Sequence, residues 1–339
     1  MSNEVKNVDA PSLLTVSPSP HIKHSDRTWT IMTDVVIALV PALIWGVICF
    51  GIRALAVVLL CIASSVFFEF GFNRILHKPN TVKDCSAVVT GLLLGLNLPA
   101  SVPYYMPVVG SFFAIVVVKG LFGGIGKNFM NPALAARVFL FAWPEEMTTF
   151  TKPFERLGIF ASSGEIADAV SGATPLSALK NGALPDISWV DLITGKCGGC
   201  IGEVSSVLLI LGGVYLLLRR VISWHIPVSF MGTVLVLALL FPQNEDAFAF
   251  ALSQIFSGGL ILGAFFMATD YATSPVTSLG RIIYGALCGA ICIFIRYFGG
   301  YPEGASFAIL IMNTLVYYID KFTRPRPFGK QKGGVSGGR

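Results

Sequence analysis

Apolar residues in this chain come in long runs broken by charges, prolines and glycine clusters. The runs predict ten helices, roughly 33–51, 53–72, 85–101, 104–122, 129–143, 203–218, 226–242, 247–269, 281–298 and 304–319. Most are long enough to cross a hydrocarbon layer of about 30 Å. The third and fifth are short and contain Asn97-Leu98-Pro99 and Asn131-Pro132. Those two are expected to be broken or half-spanning helices, whose freed backbone groups need partners inside the protein and therefore line buried sites. The chain divides into a polar segment 1–32, a first five-helix half 33–143, a loop 144–202, a second five-helix half 203–319 and a basic tail 320–339. An odd number of spans per half inserts the second half upside down, as an inverted repeat. In support, the break Gly126 to Pro132 leads to Arg137, and the break Ala268 to Pro275 leads to Arg281.

Composition fixes the class. Of 339 residues, 54% are hydrophobic and 13% charged, with a mean hydropathy of +0.73, whereas a soluble domain carries about a quarter charged residues. A cytosolic enzyme needs a polar surface that this chain lacks, so the expectation is an all-α multi-pass membrane protein with about ten transmembrane helices. The net charge of +5 does not point to nucleic acid, because the basic residues sit in short segments between apolar runs. One alternating set of segments holds Lys6, Lys23, Arg27, Arg74, Lys78, Lys83, Lys119, Lys127, Arg219, Arg220, Arg281 and the tail from Lys321 to Arg339. The other holds Arg53, Lys152, Arg156, Lys180 and Lys196, together with seven carboxylates in the loop 144–202. Segments rich in Lys and Arg stay in the cytoplasm. Both termini are thus predicted to be cytoplasmic, with the loop on the far side of the cytoplasmic (inner) membrane. The first 30 residues are polar and contain three prolines, so no cleavable signal is expected.

Several residues invite a chemical reading. Arg137 lies in an apolar stretch, where an unpaired cation costs several kcal/mol, so it is expected to face a polar cavity, a carboxylate or an anionic group. Asp270 and Arg281 are placed to pair across the ends of the eighth and ninth helices. Arg296 is placed to snorkel to the interface. Glu69 and Asp84 lie near span ends, where acids line an ion path or meet Lys83 or Arg74. Glu203 suits the first turn of the sixth helix. Cys197-Gly198-Gly199-Cys200 has no second cysteine pair nearby, so it is read as a disulfide or two thiols, and no metal site is expected.

The loop carries Asp168-Ala169-Val170-Ser171-Gly172-Ala173-Thr174-Pro175-Leu176. Pro175 disfavours helical dihedrals at Thr174 and presents its hydroxyl on extended backbone. Gly172 and Ala173 clear bulk from one flank. A threonine hydroxyl is a weak nucleophile and needs an enzyme to activate it, so the run suits a modification site. It resembles the flavinylation motif Asp-x-x-(Ser/Thr)-Gly-Ala-(Ser/Thr). Together with Asn131-Pro132-Ala133, Gly198 to Glu203, Met267 to Asp270 and Ser274-Pro275, the whole chain resembles the NqrB/RnfD family, membrane components of sodium-translocating NADH:quinone reductases and of Rnf complexes. Its length is closer to the Rnf branch.

That resemblance implies FMN held through a phosphoester on Thr174, with Asp168, Ser171, Gly172, Ala173, Pro175 and Leu176 as the rest of the motif, attached by a flavin transferase outside the cytoplasm. It implies an electron-transfer subunit working with the other subunits of a complex that passes electrons between ferredoxin and NAD and exports Na⁺ or H⁺. Members also hold a non-covalent riboflavin, for which no residue here is matched. Arg137, Asn131 and Asp270 are candidate contacts to a cofactor or ion path, and no residue is given a catalytic role. The bland alternatives are a solute channel built on an inverted repeat, and a scaffold for other redox subunits.

Overall fold

A computed structural model describes residues 27–78, 81–155, 158–160, 174–185, 187–203, 205–301 and 303–325. Asp168, Ser171, Gly172 and Ala173, nearly all of the segment 1–32 and most of the tail lie outside the described residues. Among the described residues the regular structure is helical throughout, with fourteen helices. The first half contains α1 (Thr28–Phe50), α2 (Ile52–Ile75), α3 (Ser86–Leu96), α4 (Tyr105–Phe112, widening into a π segment Phe113–Gly120) and α5 (Pro132–Leu140). The loop region adds three short helices, α6 (Pro144–Thr148), α7 (Pro175–Lys180) and α8 (Trp189–Thr194). The second half contains α9 (Ser206–Leu218), α10 (His225–Leu240), α11 (Ala247–Phe256), α12 (Leu260–Leu262, continuing as a π segment Gly263–Met267), α13 (Ser278–Phe298) and α14 (Ala305–Thr323).

Every one of the ten apolar runs carries a helix. Three helices, α1, α2 and α13, are long and apolar enough to cross a membrane alone, and α11 with Leu260–Met267, bent by 60°, passes the same test as a pair, as a broken span or a re-entrant loop. The bundle exposes large apolar side chains, among them Phe67, Ile75, Leu218, Phe294, Phe298 and Phe322. A water-facing surface would not tolerate so many, whereas lipid does.

The two short runs are half-helices, as their Asn and Pro residues predict. α3 has 11 residues and α5 has 9, well under the roughly 20 needed to span. α3 ends at Asn97, and its freed carbonyls are taken by a second irregular strand of chain: Gly202 N donates to Leu96 O at 2.7 Å and Ile201 N to Leu98 O at 3.0 Å. At the start of α5, Asn131 caps the helix, its Oδ1 accepting from Ala133 N at 3.0 Å and Leu134 N at 3.3 Å. Non-helical backbone at this depth is thus satisfied by protein, as a membrane interior requires.

Connections at one end of the bundle, here called the loop end, are tied to the segment 144–203. Trp45 Nε1 donates to Thr194 O at 2.9 Å and Phe154 N to Cys49 O at 2.7 Å. The buried Arg53 donates to Ala100 O at 3.0 Å and Val102 O at 3.1 Å. At the opposite, tail end, Asp34 of α1 pairs with Arg219 at 3.1 Å and accepts from Tyr215 OH at 2.9 Å.

Helix contacts depend on small residues. A Cβ at Gly91 of α3 would lie 2.7 Å from Cys61 O of α2, and one at Gly95 would lie 2.9 Å from Val58 Cα. This is the close backbone approach that glycines four apart permit between membrane helices. Gly95→Leu is expected to force α2 and α3 apart at a cost of about 1–3 kcal/mol. Scanning fluorimetry of the detergent-purified chain should show it as a lowered Tm. An unchanged Tm would contradict the packing described.

Candidate functional site

Thr174 is the last motif residue and stands immediately before α7, in extended backbone as its neighbour Pro175 dictates (φ −85°, ψ 154°). Its Oγ1 accepts from Ser177 N at 3.2 Å, which leaves its hydroxyl proton uncommitted to that bond. The residue lines a small cleft at the loop end, with about 40 Å³ of cavity behind an open mouth. Pro175 and Leu176 line it too. Aromatic walls come from Phe141, Phe150, Phe256 and Tyr301, bare backbone from Gly198, Gly199 and Gly258, and carboxylates from Glu203 and Glu303. A planar, largely apolar ring with one polar edge suits such a lining.

A buried charge cluster lies against the cleft. Arg137, projected from α5, donates through Nη1 to Asn97 Oδ1 at 2.6 Å and through Nη2 to Glu203 Oε1 at 3.4 Å, to Cys200 Sγ at 3.3 Å, and to Glu303. Glu203 also turns its other oxygen back onto Cys200 N at 3.3 Å. The loop is threaded tightly: a Cβ at Gly199 would lie 3.2 Å from Glu203 Oε2, and one at Gly259 would lie 3.0 Å from Glu203 Oε1. Ligand atoms of Cys200, Glu203 and Glu303 lie within 4.8 Å of one another, a separation that suits a cation, and the Arg137 guanidinium supplies the positive charge there. Two carboxylates thus face one guanidinium. Burial and the facing Glu303 carboxylate raise the Glu203 carboxyl above the ordinary carboxylate range, against the pull of Arg137. Cys197 and Cys200 are both free thiols, and burial pushes the Cys197 thiol up to about 12.

Asn131 and Asp270 belong to a different place. They line a cavity of about 300 Å³ at the tail end, with Thr90, Lys119, Gly126 and Thr269. Asn131 Nδ2 donates to Met267 O at 3.2 Å, tying the first half to the second. An adjoining cavity of about 370 Å³ is lined by Glu69, Asp84 and Lys119. Arg137 and Asn131 are six positions apart, about 9 Å of helical rise, so α5 runs from the wall of the tail-end cavity to Arg137, whose partners Glu203 and Glu303 line the loop-end cleft.

The structure corrects several expectations. Asp270 does not meet Arg281: it accepts from Thr273 Oγ1 at 3.3 Å, while Arg281 Nε donates to Pro275 O at 3.0 Å. Glu69 pairs with Lys119 at 2.8 Å rather than with Lys83 or Arg74, because a buried carboxylate needs an equally buried cation. Arg296 does not snorkel. It is buried and donates to the carbonyls of Gln254 and Ser257, the latter at 3.1 Å, where the bend between α11 and α12 frees them. Glu203 stands ahead of the helix rather than in its first turn, since α9 starts at Ser206 with Ser205 as its cap. The breaks before Arg137 and Arg281 line the same tail-end cavity. An inverted repeat would put equivalent breaks at opposite ends, so their likeness in sequence is not its signature. Glu303 escaped the sequence reading, because an acid in a short turn between two spans looks like a solvated residue.

The chain matches the NQR2, RnfD, RnfE family over residues 15–329. It is 48% identical over 325 residues to the D component of the Na(+)-translocating ferredoxin:NAD(+) oxidoreductase complex of Acetobacterium woodii, covering 94% of this chain and 96% of that one. It is 41% identical over 336 residues to the D component of the proton-translocating ferredoxin:NAD(+) oxidoreductase complex of Clostridium ljungdahlii, covering 95% and 98%. With the D component of the ion-translocating oxidoreductase complex of Stutzerimonas stutzeri it shares 40% identity over 328 residues, 90% and 93% of the two chains. A match of this length and identity leaves one conclusion, that the chain belongs to the NQR2, RnfD, RnfE family.

Proposed function

We propose that this protein is the RnfD-type component of a membrane complex that passes electrons between ferredoxin and NAD⁺ and couples the flow to export of Na⁺ or H⁺, and that it carries FMN through a phosphoester to Thr174. The observation that carries the flavin assignment is the placement of Thr174, the final hydroxyl of the motif, in the lining of an aromatic-walled cleft. The residues fit the group. Aromatic side chains and bare backbone at Gly198, Gly199 and Gly258 offer a flat ring surfaces to lie against at the cleft mouth, and the neighbouring Arg137 Nε and Ser257 Oγ are buried with no partner among the described residues. A flavin there supplies an electron carrier, while the protein orients it, excludes water and sets its electrostatic surroundings. Two relatives of similar coverage are named for different ions, and the assignment commits only to a monovalent cation.

The same reading gives the chain ten spans with both ends in the cytoplasm. In its favour, the Lys- and Arg-rich segments around 73–83, 119–127, 219–220 and 321–324 share the tail end, and the loop with Thr174 occupies the other, where a flavin transferase outside the cytoplasm would reach it. Packing favours two inverted halves: α2 contacts α3 and α4 as α10 contacts α11 and α13, while α1 packs on α9 and α5 on α14 across the halves. The tail-end cavity is the place for a second, non-covalent flavin, with Asn131 and Asp270 in its wall. Leu96, Leu98, Leu140, Ile261 and Leu262 are buried in the apolar core of the bundle. Electron transfer between the two sites needs only proximity.

The assembled complex provides the test. A complex carrying Thr174→Ala should assemble and lose ferredoxin-dependent NAD⁺ reduction to the level seen when this chain is missing. Unchanged electron transfer would assign the chain a scaffold role.

A further inference from the structure

Resting on the flavin reading above, we propose that the Glu203–Glu303 pair facing Arg137 takes up one proton from the water at the loop end whenever the flavin in the Thr174 cleft is reduced, and releases it there on oxidation. The basis is a charge count in a closed space. Glu203, ahead of α9, and Glu303, in the turn between α13 and α14, both line the cleft, with side chains only 7% and 13% exposed. One cation, Arg137 from α5, meets both. Among the described residues the other groups around the pair are neutral or otherwise engaged. Asn97 comes from the end of α3, the thiols of Cys197 and Cys200 from the glycine loop, and Tyr301 from the same turn as Glu303. Arg296 of α13 is spent on Gln254 and Ser257. With both carboxyls ionised the cluster carries one excess negative charge beside the cleft.

Adding electrons to a ring in that cleft raises negative charge next to negative charge at low dielectric, where the repulsion is weakly screened. A proton on one carboxyl removes it. The balance is simple: a one-electron iron–sulfur donor supplies the electrons, the ring takes them with whatever protons it takes in water, and one further proton leaves bulk water for a carboxylate oxygen of the pair. No other bond breaks. The two oxygens that face each other can share that proton, and Glu303 at the cleft wall is the more exposed member, through which it enters. The Arg137 guanidinium stays charged throughout and holds the remaining carboxylate.

The test uses the full complex, in which covalent flavin is first established by fluorescence of the denatured chain. Absence of flavin at that stage would overturn the Thr174 reading, and the proton proposal would fall with it. With flavin present, the reduced-minus-oxidised infrared difference spectrum should contain a protonated-carboxyl C=O band that shifts in D₂O and disappears in Glu303→Gln or Glu203→Gln. The pH dependence of the covalent flavin's reduction should steepen accordingly: the equilibrium constant for reduction falls about tenfold more per pH unit in the parent than in Glu303→Gln, one proton's worth. If neither variant folds, the D₂O-sensitive band in the parent complex still decides. A flavin-loaded parent whose difference spectrum lacks that band, or a Glu303→Gln complex with the parent's pH slope, would overturn the proton proposal and leave the flavin assignment standing.

Discussion

Replacing Arg137 with alanine is expected to cost about 3–5 kcal/mol of stability, the range for removing one partner from a buried ion cluster. The side chain is 2% exposed and holds Asn97, Cys200, Glu203 and Glu303 together. Without it two carboxylates face each other with no cation, and the carbonyl oxygen of Asn97 loses a partner. The junction of α3, α5, the glycine loop and the α13–α14 turn should then open. Scanning fluorimetry should register a large fall in Tm, with loss of monodisperse protein. Adding Glu303→Gln to Arg137→Ala should restore part of the loss, because it removes one of the two orphaned charges. A double variant no more stable than Arg137→Ala would show that the cluster is not held by charge.

The second large effect is expected at Arg296. Arg296→Ala strips the donors from the carbonyl oxygens of Gln254 and Ser257 at the bend between α11 and α12. Each carbonyl left without a partner in a low-dielectric interior costs about 1–3 kcal/mol. Bilayer cannot offer the water that would relieve this on a soluble protein. Arg296→Lys, with a single point of donation, should recover only part of the stability, since the guanidinium serves several acceptors at once. A lysine variant as stable as the parent would contradict the multi-point capping described here.

How much of this is legible in the sequence depends on which forces set it. The apolar helices are set by burial in an apolar medium, and each of the ten hydropathy runs contains a helix, α3 and α5 as half-helices at the Asn and Pro breaks. Arg137 stands out because it lies in an apolar stretch. Its partners do not. Glu203 reads as an ordinary helix-start acid and Glu303 as a turn residue, and only tertiary packing brings both to Arg137. The same holds for Lys119 with Glu69 and for Arg296 with the α11–α12 bend, where the nearest charge along the chain is not the nearest in space. The helix α7, which starts immediately after Thr174, and α8 are six residues each and leave no periodic signal. Asn131 and Arg137 lie close in sequence yet serve opposite cavities, because α5 is a half-helix running between them.

Covalent FMN on Thr174 is the central claim, and one gel decides it. The chain is co-expressed with an active flavin transferase, denatured, separated and viewed for flavin fluorescence beside Thr174→Ala, and the mass of the peptide containing Thr174 is measured. The expected result is a fluorescent parent band, a dark Thr174→Ala band and a peptide heavier by FMN less water. A band equally bright in both lanes, or no fluorescence in either while the transferase modifies a control substrate, would contradict it.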